Sequence, residues 1–232
     1  MFVRWGAGAF AKRWAERGIP LLPAGCSPLA FVDGLGLLRP EMLLVHAIDL
    51  EDTDFEILRR KRPGFVHCPK SNAKFGHGIA PLLPLMEAGI RVGIGSDSVA
   101  SNNRMDVLDE ARLAVLIHRA ATRRHDAFGA HQALELATIG GARALGLESR
   151  IGSLEIGKDA DLAAFRIDIP RTTPIGDPYS AAIFALPGRS AELVTVRGRV
   201  LVDRGRVLAA DESLAKRVRA IGAALSTWAA RQ

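Results

Sequence analysis

The chain has 232 residues, 48% of them hydrophobic, and a formal net charge of +6. That composition can bury one large core or two modest ones, and no run of eighteen apolar residues predicts a membrane span. The basic residues are mostly arginines spread along the chain without interleaved aromatic side chains. We therefore favour solvated helix faces over a nucleic-acid-binding module. Two distant cysteines, Cys26 and Cys68, and no secretory signal pattern predict a cytoplasmic protein.

Helix-like and strand-like segments alternate through the first half of the chain. Helices are predicted at 8–17, from Ser27 as N-cap, at 53–61 with a capping box from Thr53 to Glu56, at 79–88 ended by Gly89, and at about 104–124 with Asn103 as N-cap. Strands are predicted at 42–48, 64–68 and 91–96. Their apolar runs lack alternation, as in parallel strands covered on both faces, which fits a (β/α) barrel or a doubly wound sheet.

A smaller β region is predicted after about Ala144. Glycine-punctuated turns precede a strand, and a hairpin is expected to turn at Arg197 and Gly198. The last segment predicts an amphipathic helix, interpreted as having a docking face rather than a membrane anchor. Its apolar stripe comprises Leu214, Val218, Ile221, Leu225 and Trp228.

Three titratable residues follow three successive predicted strands: His46, His67 and Asp97. Taken singly, each histidine could be a core or cap residue, and the aspartate a helix N-cap. The carboxyl ends of neighbouring parallel strands converge on one mouth, however, so we favour a shared site. Cys68 is interpreted as a structural thiol, because no cation or helix N-terminus is clearly placed to lower its pKa.

Several motifs resemble the amidohydrolase superfamily: HAIDL, the run from VHCPKSN to GIGSDSVASNN, and IGSLEIGKDADLAAF. The nearest branch comprises chlorohydrolases and the deaminases of S-adenosylhomocysteine, methylthioadenosine and aminodeoxyfutalosine. The resemblance implies a (β/α)8 TIM barrel with a small β-sandwich and one divalent metal, usually zinc, with iron or manganese as alternatives. It also implies hydrolytic deamination of a purine or adenosine-type substrate by hydroxide at the metal.

The resemblance implies a role for each of the three residues. Asp97 matches the aspartate after strand eight, which ligates the metal and takes a proton from its water. His46 matches the strand-six histidine, which hydrogen-bonds the attacking hydroxide. His67 matches the histidine of the strand-seven H-x-P-x-S-N motif, near the substrate.

The resemblance is incomplete at the metal. The family's H-x-H pair on strand one, its strand-five histidine and the glutamate three residues later have no match in this chain. We therefore expect about strands six to eight of the barrel at 1–146, a small, incomplete β domain at 147–210 and a C-terminal helix at 211–232. The expected partners are a small-molecule substrate and either a second copy or a complementing N-terminal half, with no nucleic acid or membrane. The alternative is an inactive truncated fragment, or a half-barrel subunit that needs a partner chain.

Overall fold

Two contact-defined units make up the described part of this computed structural model, which covers residues 2–20, 22–170, 173–186, 188, 190–209, 211 and 213–231. The first unit comprises the described residues of Met1–Asp159 and Ile167–Arg189, and the second those of Ala160–Arg166 and Ser190–Gln232. Positions 1, 210 and 232, which bound segments predicted from the sequence, lie outside the described residues.

A parallel three-stranded sheet forms the centre of the first unit. Its strands are β1 (Leu43–Val45), β2 (Gly64–His67) and β3 (Arg91–Ile94), in the order β1-β2-β3. Leu44 pairs with Phe65, which pairs with Val92, and both ladders are parallel. The predicted strands and their parallel pairing are confirmed. Each strand is shorter than predicted, and β1 ends where His46 takes a φ of 69°.

Helices connect these strands and cover the sheet. In chain order they are α1 (Phe2–Trp5), α2 (Ala9–Glu16), α3 (Pro28–Gly34), α4 (Asp52–Lys61), α5 (Pro69–Lys74), α6 (Leu82–Glu87), α7 (Val99–Asn102), α8 (Val107–Thr122), α9 (Ala130–Ala137), α10 (Ile139–Leu145) and α11 (Pro178–Ser180), which continues into a π-helix (Ala181–Ala185). The five helices predicted before the small β region are all present. The short helices α5 and α7 were not predicted, and both lie next to the candidate site.

The predicted cap of α3 is confirmed, and that of α4 is wrong. Ser27 caps α3 with its side chain. The capping box of α4 joins Glu51 and Asp54, not Thr53 and Glu56, and the backbone N–H of Glu51 donates to Asp54 Oδ2 at 3.0 Å. The other Asp54 oxygen accepts from Ser27 Oγ at 2.5 Å. This tertiary contact between α3 and α4 buries Asp54. Helix α4 begins at Asp52, with Glu51 rather than Thr53 as its N-cap.

The predicted N-cap of α8 is also wrong. Asp106 caps the helix, because its Oδ1 accepts from the backbone N–H of Asp109 at 3.1 Å. Asn103 instead ends α7 in the left-handed conformation, with a φ of 68°. The short helix α7, which was not predicted from the sequence, therefore separates β3 from α8.

The core of the first unit lies between the sheet and its helices. Buried side chains from the strands pack with buried side chains from α4, α6 and α8. They include Phe65, Val92, Ile94, Leu58, Leu82, Leu85, Ala111, Ala114 and Val115. Helix α10 approaches the sheet so closely that a Cβ added at Gly93 would lie 2.7 Å from Gly141 Cα. The resulting unit is mixed α/β, with the strand ends leading directly into the candidate site.

The second unit is an antiparallel sheet followed by a helix. Its strands are β4 (Leu162–Ala164), β5 (Leu193–Val196), β6 (Arg199–Asp203) and β7 (Arg206–Val207), in the order β4-β5-β6-β7. The predicted hairpin is confirmed: Arg197 and Gly198 have φ values of 49° and 75°, which match a two-residue primed turn between β5 and β6. Helix α12 (Leu214–Ala229) confirms the predicted last helix, and its apolar stripe is exposed. No helix in the described ranges is both long and apolar enough to cross a membrane.

Candidate functional site

His46 leaves the sheet at the carboxyl end of β1. Its backbone N–H continues the ladder by donating to Val66 O at 3.3 Å. His46 and Ala47 then adopt φ values of 69° and 34°, a left-handed conformation that is unfavourable for residues other than glycine. This turn takes the imidazole out of the strand direction and leaves its side chain 35% exposed.

Asp97 lies three residues beyond the end of β3, also in the left-handed region with a φ of 57°. Its Oδ2 accepts from the hydroxyls of Ser71 and Ser101, each at 2.7 Å. Its Oδ1 accepts from the backbone N–H of Ser98, also at 2.7 Å. The short helices α5 and α7 supply the two serine hydroxyls, so the helices missed by the sequence analysis hold the carboxylate in place.

These hydrogen bonds set the ionisation of Asp97. They lower the pKa of its carboxyl to about 2, with Ser101 as the largest cause, then Ser71 and the Ser98 N–H, and with a smaller contribution from nearby His46. Asp97 is therefore a carboxylate at neutral pH. His46 Nε2 lies 3.7 Å from Asp97 Oδ2, and both side chains are partly open to solvent. The structure thus brings together two of the three residues singled out in the sequence.

A buried polar network braces the segments on either side of Asp97. Glu110 of α8 is fully buried and accepts from the backbone N–H of Lys70 at 3.0 Å and from the Asn102 amide. Asn102 also donates to Ser96 O at 2.6 Å, one residue before Asp97. Burial raises the pKa of the Glu110 carboxyl. One carboxyl group therefore ties α8 to both the segment after β2 and the segment after β3.

His67 occupies a different environment. It is 1% exposed, and its Nε2 lies 3.4 Å from Nε2 of His118 on α8. Burial lowers the pKa of His67 to about 3, followed by smaller contributions from His118 and His46. No hydrogen bond joins His67 to His46 or Asp97 among the described residues, and its predicted contact with a substrate stays a prediction. Neighbouring Cys68 is also buried, and burial raises the pKa of its thiol to about 11, which indicates an unreactive thiol.

The described residues supply only part of a metal-ion donor set. Asp97 offers a carboxylate, and the adjacent His46 an imidazole. No group of three histidine, cysteine, aspartate or glutamate side chains able to hold a metal occurs in the described ranges. A catalytic zinc usually takes three protein ligands. These residues therefore fit one wall of a metal site and do not complete one.

Four residues that shape this site were not predicted from the sequence: Ser71, Asn72, whose Oδ1 lies 2.8 Å from His46 Nδ1, Ser101 and Glu110. Ser71 and Asn72 lie in VHCPKSN, immediately after β2, and Ser101 follows Asp97 by one helical turn. A hydroxyl four residues after a strand-end carboxylate is a local signal that could have been read, because i and i+4 side chains meet across one turn. Glu110 had no such signal, since it resembles any first-turn glutamate of a helix.

Comparison with known proteins identifies the family of this chain. A sequence profile described as the amidohydrolase family matches residues 21–201. The chain belongs to the amidohydrolase family. The motifs that carried the resemblance in the sequence, including His46, VHCPKSN and Asp97, all lie within the matched range.

Individual members of the amidohydrolase family are similar over most of this chain. A 5-methylthioadenosine/S-adenosylhomocysteine deaminase of Desulforudis audaxviator is 40% identical over 188 residues, 81% of this chain and 44% of the relative. An adenosine deaminase from Xanthomonas campestris, solved with bound zinc, has a TM-score of 0.78 and 32% identity, covering 95% of this chain and 47% of that one. An atrazine chlorohydrolase from Arthrobacter aurescens TC1, complexed with zinc, has a TM-score of 0.77 and 32% identity, covering 87% and 44%. This amidohydrolase chain spans less than half the length of those relatives.

Proposed function

We propose that this chain forms part of a divalent-metal-dependent amidohydrolase that hydrolyses a carbon–nitrogen bond, removing the amino group of a purine in an adenosine-type substrate. The observation that carries the proposal is the His46–Asp97 pair, 3.7 Å apart beyond the carboxyl ends of β1 and β3. The deaminase names of its relatives support this reaction, and the bound zinc of a similar structure supports zinc as the metal, with iron or manganese as alternatives.

Within this proposal, β1, β2 and β3 correspond to about strands six to eight of a (β/α)8 barrel, in a segment spanning 1–146. The antiparallel strands of the second unit correspond to part of the small β-sandwich, in a segment assigned to 147–210, and α12 belongs to the last segment, assigned to 211–232. The parallel order β1-β2-β3 and the placement of His46 and Asp97 just beyond two of its strands support this assignment.

Asp97 has two roles in this proposal, metal ligand and proton acceptor. Its low pKa keeps it ionised at neutral pH, as a ligand and a base must be. A bound divalent metal would lower the pKa of a water molecule to about 7. His46 presents Nε2 beside the same carboxylate and orients the reacting water by a hydrogen bond. We also propose that His67, the histidine of the H-x-P-x-S-N motif, lies near the substrate.

The experiment measures ammonia release from 5′-methylthioadenosine with added zinc. The chain is assayed alone and together with an N-terminal fragment of the Desulforudis audaxviator deaminase, of which this chain matches 44%. We expect turnover in the complemented sample, and loss of that turnover in Asp97→Asn. The matched control is Asp126→Asn, because Asp126 pairs with exposed Arg124 at 2.9 Å and has no role in the proposal. Full turnover by Asp97→Asn would refute the role of Asp97.

The incomplete donor set favours one alternative, a chain that has no activity without a partner. It predicts far less than one zinc per purified chain and no ammonia release by the chain alone. Stoichiometric zinc measured on the isolated chain by elemental analysis would count against this alternative. Failure of the complemented sample as well would favour an inactive fragment over the proposed deaminase.

A further inference from the structure

We infer that Asn72 is a positioning residue for His46. It holds the ring with the proton on Nδ1, so that Nε2 lies on the side of Asp97 and keeps a lone pair that can accept a hydrogen bond. The inference deepens the proposed function and depends on it for its chemical meaning. The orientation and tautomer of the His46 ring can nevertheless be tested on this chain without any turnover.

Asn72 is itself held rigidly. It lies in α5, directly after β2, and is 1% exposed. Its backbone N–H donates to Cys68 O at 3.1 Å, and its carbonyl accepts from the backbone N–H of His77 at 2.9 Å. The side-chain amide therefore has a defined position relative to the sheet, which a group that orients another side chain requires.

The contact with the ring determines which nitrogen carries the proton. Asn72 Oδ1 lies 2.8 Å from Nδ1 of His46. An amide oxygen only accepts hydrogen bonds, so Nδ1 must donate, and a neutral imidazole has a single N–H. Nε2 is then left with its lone pair, 3.7 Å from Asp97 Oδ2 and on a side chain that is 35% exposed. The acceptor nitrogen thus lies on the carboxylate side of the ring.

Stability alone does not explain an asparagine at this position. The amide nitrogen of Asn72 is buried and has no hydrogen-bond partner among the described residues. An unsatisfied buried donor costs about 1–3 kcal/mol, and an apolar side chain of similar shape would avoid that cost. The contribution of the amide must therefore come from its oxygen, which contacts the His46 ring.

The test is an NMR measurement of the His46 tautomer. The chain is labelled with ¹⁵N-histidine and observed at about pH 8, where a two-bond proton–nitrogen correlation distinguishes the two nitrogens of a neutral ring. His46 is assigned by the signal that disappears in His46→Gln. We expect the Nδ1–H tautomer in the wild-type chain, and this measurement requires no folded variant of Asn72.

Three variants complete the design. Asn72→Leu removes the acceptor and should shift the ring to the Nε2–H tautomer, whereas Asn72→Asp keeps an acceptor and should retain Nδ1–H. Asn103→Gly is the matched control, since Asn103 has a φ of 68° and contacts Lys74 rather than the ring, so the tautomer should not change. An Nε2–H ring in the wild type, or an unchanged ring in Asn72→Leu, would overturn the inference.

The outcome is independent of the proposed reaction. An Nδ1–H ring that responds to Asn72, in a chain that never supports deamination, would sustain the inference and reject the function. Deamination by an enzyme whose His46 tautomer does not change in Asn72→Leu would support the function and reject the inference. Where the complemented enzyme turns over, Asn72→Leu should lower kcat while leaving KM unchanged, and Asn72→Asp should recover part of the loss.

Discussion

The close approach of α10 to β2 leaves no room for a side chain at Gly64. A Cβ added there would lie 1.9 Å from the carbonyl oxygen of Ala144 and 2.8 Å from its carbonyl carbon. Ordinary contact begins at 3.4 Å, so about 1.5 Å of overlap must be relieved. Both clashing atoms belong to the backbone at the end of α10 and cannot rotate away as a flexible side chain would. We therefore place Gly64→Ala at the upper end of the overpacking range, about 3 kcal/mol of lost unfolding free energy.

Urea denaturation followed by circular dichroism measures this loss, with a matched control at Gly34. Gly34 is the last residue of α3, and an added Cβ would meet no described atom within 4 Å. Gly34→Ala should therefore raise the unfolding free energy by about 0.5–1 kcal/mol, because alanine restricts the unfolded chain. The two substitutions add the same methyl group with opposite expected signs. A Gly64→Ala chain within about 0.5 kcal/mol of wild type would refute the argument from backbone contact.

Three further predictions concern acid stability, a helix end and the buried brace. His67 and His118 stay neutral in the folded chain, with pKa values of about 3 and 4, whereas the unfolded chain binds protons below about 6.5. Stability is therefore highest above that pH, and each histidine should lower the unfolding free energy by about 1.4 kcal/mol per pH unit as the pH falls below it. In urea denaturation between pH 6 and 5, His118→Gln should roughly halve the dependence of the unfolding free energy on pH. An unchanged dependence would contradict this prediction. Arg123→Gly should raise the unfolding free energy in urea by about 1 kcal/mol, because Arg123 ends α8 with a φ of 56°, and a loss would contradict the strain. Glu110→Ala should cost about 3 kcal/mol in the same assay, because it removes a fully buried side chain and leaves the part-buried N–H of Lys70 unpaired, and a cost below about 0.5 kcal/mol would show that Glu110 does not brace these segments.

The regular elements could be predicted because their signals are local. Apolar runs indicated β1, β2 and β3, and Ser27 before Pro28 indicated the start of α3. The wrong caps had a tertiary cause. Thr53 with Glu56 is a valid capping pattern by itself, but Asp54 is drawn into the contact with Ser27, which no local rule contains.

The candidate site was predictable in part for the same reason. Strand-end position identified His46 and Asp97, because parallel strands bring their carboxyl ends together. It could not tell which face of the sheet His67 occupies, since one residue of uncertainty at a strand end reverses the direction of a side chain. Asn72 contacts His46, 26 residues away, and Glu110 contacts Lys70, 40 residues away, so local sequence rules do not reveal these roles.

The left-handed backbone at His46, Ala47 and Asp97 has a consequence for engineering. Selecting a library of variants for heat resistance alone would reward glycine wherever relief of the left-handed backbone outweighs the side chain's own hydrogen bonds, because glycine adopts such angles without a steric penalty. At 46 and 97 that reward would discard the imidazole and the carboxylate. Only Ala47→Gly relieves the backbone while leaving both side chains in place, so heat-resistant variants of this protein need a separate screen for retained chemistry.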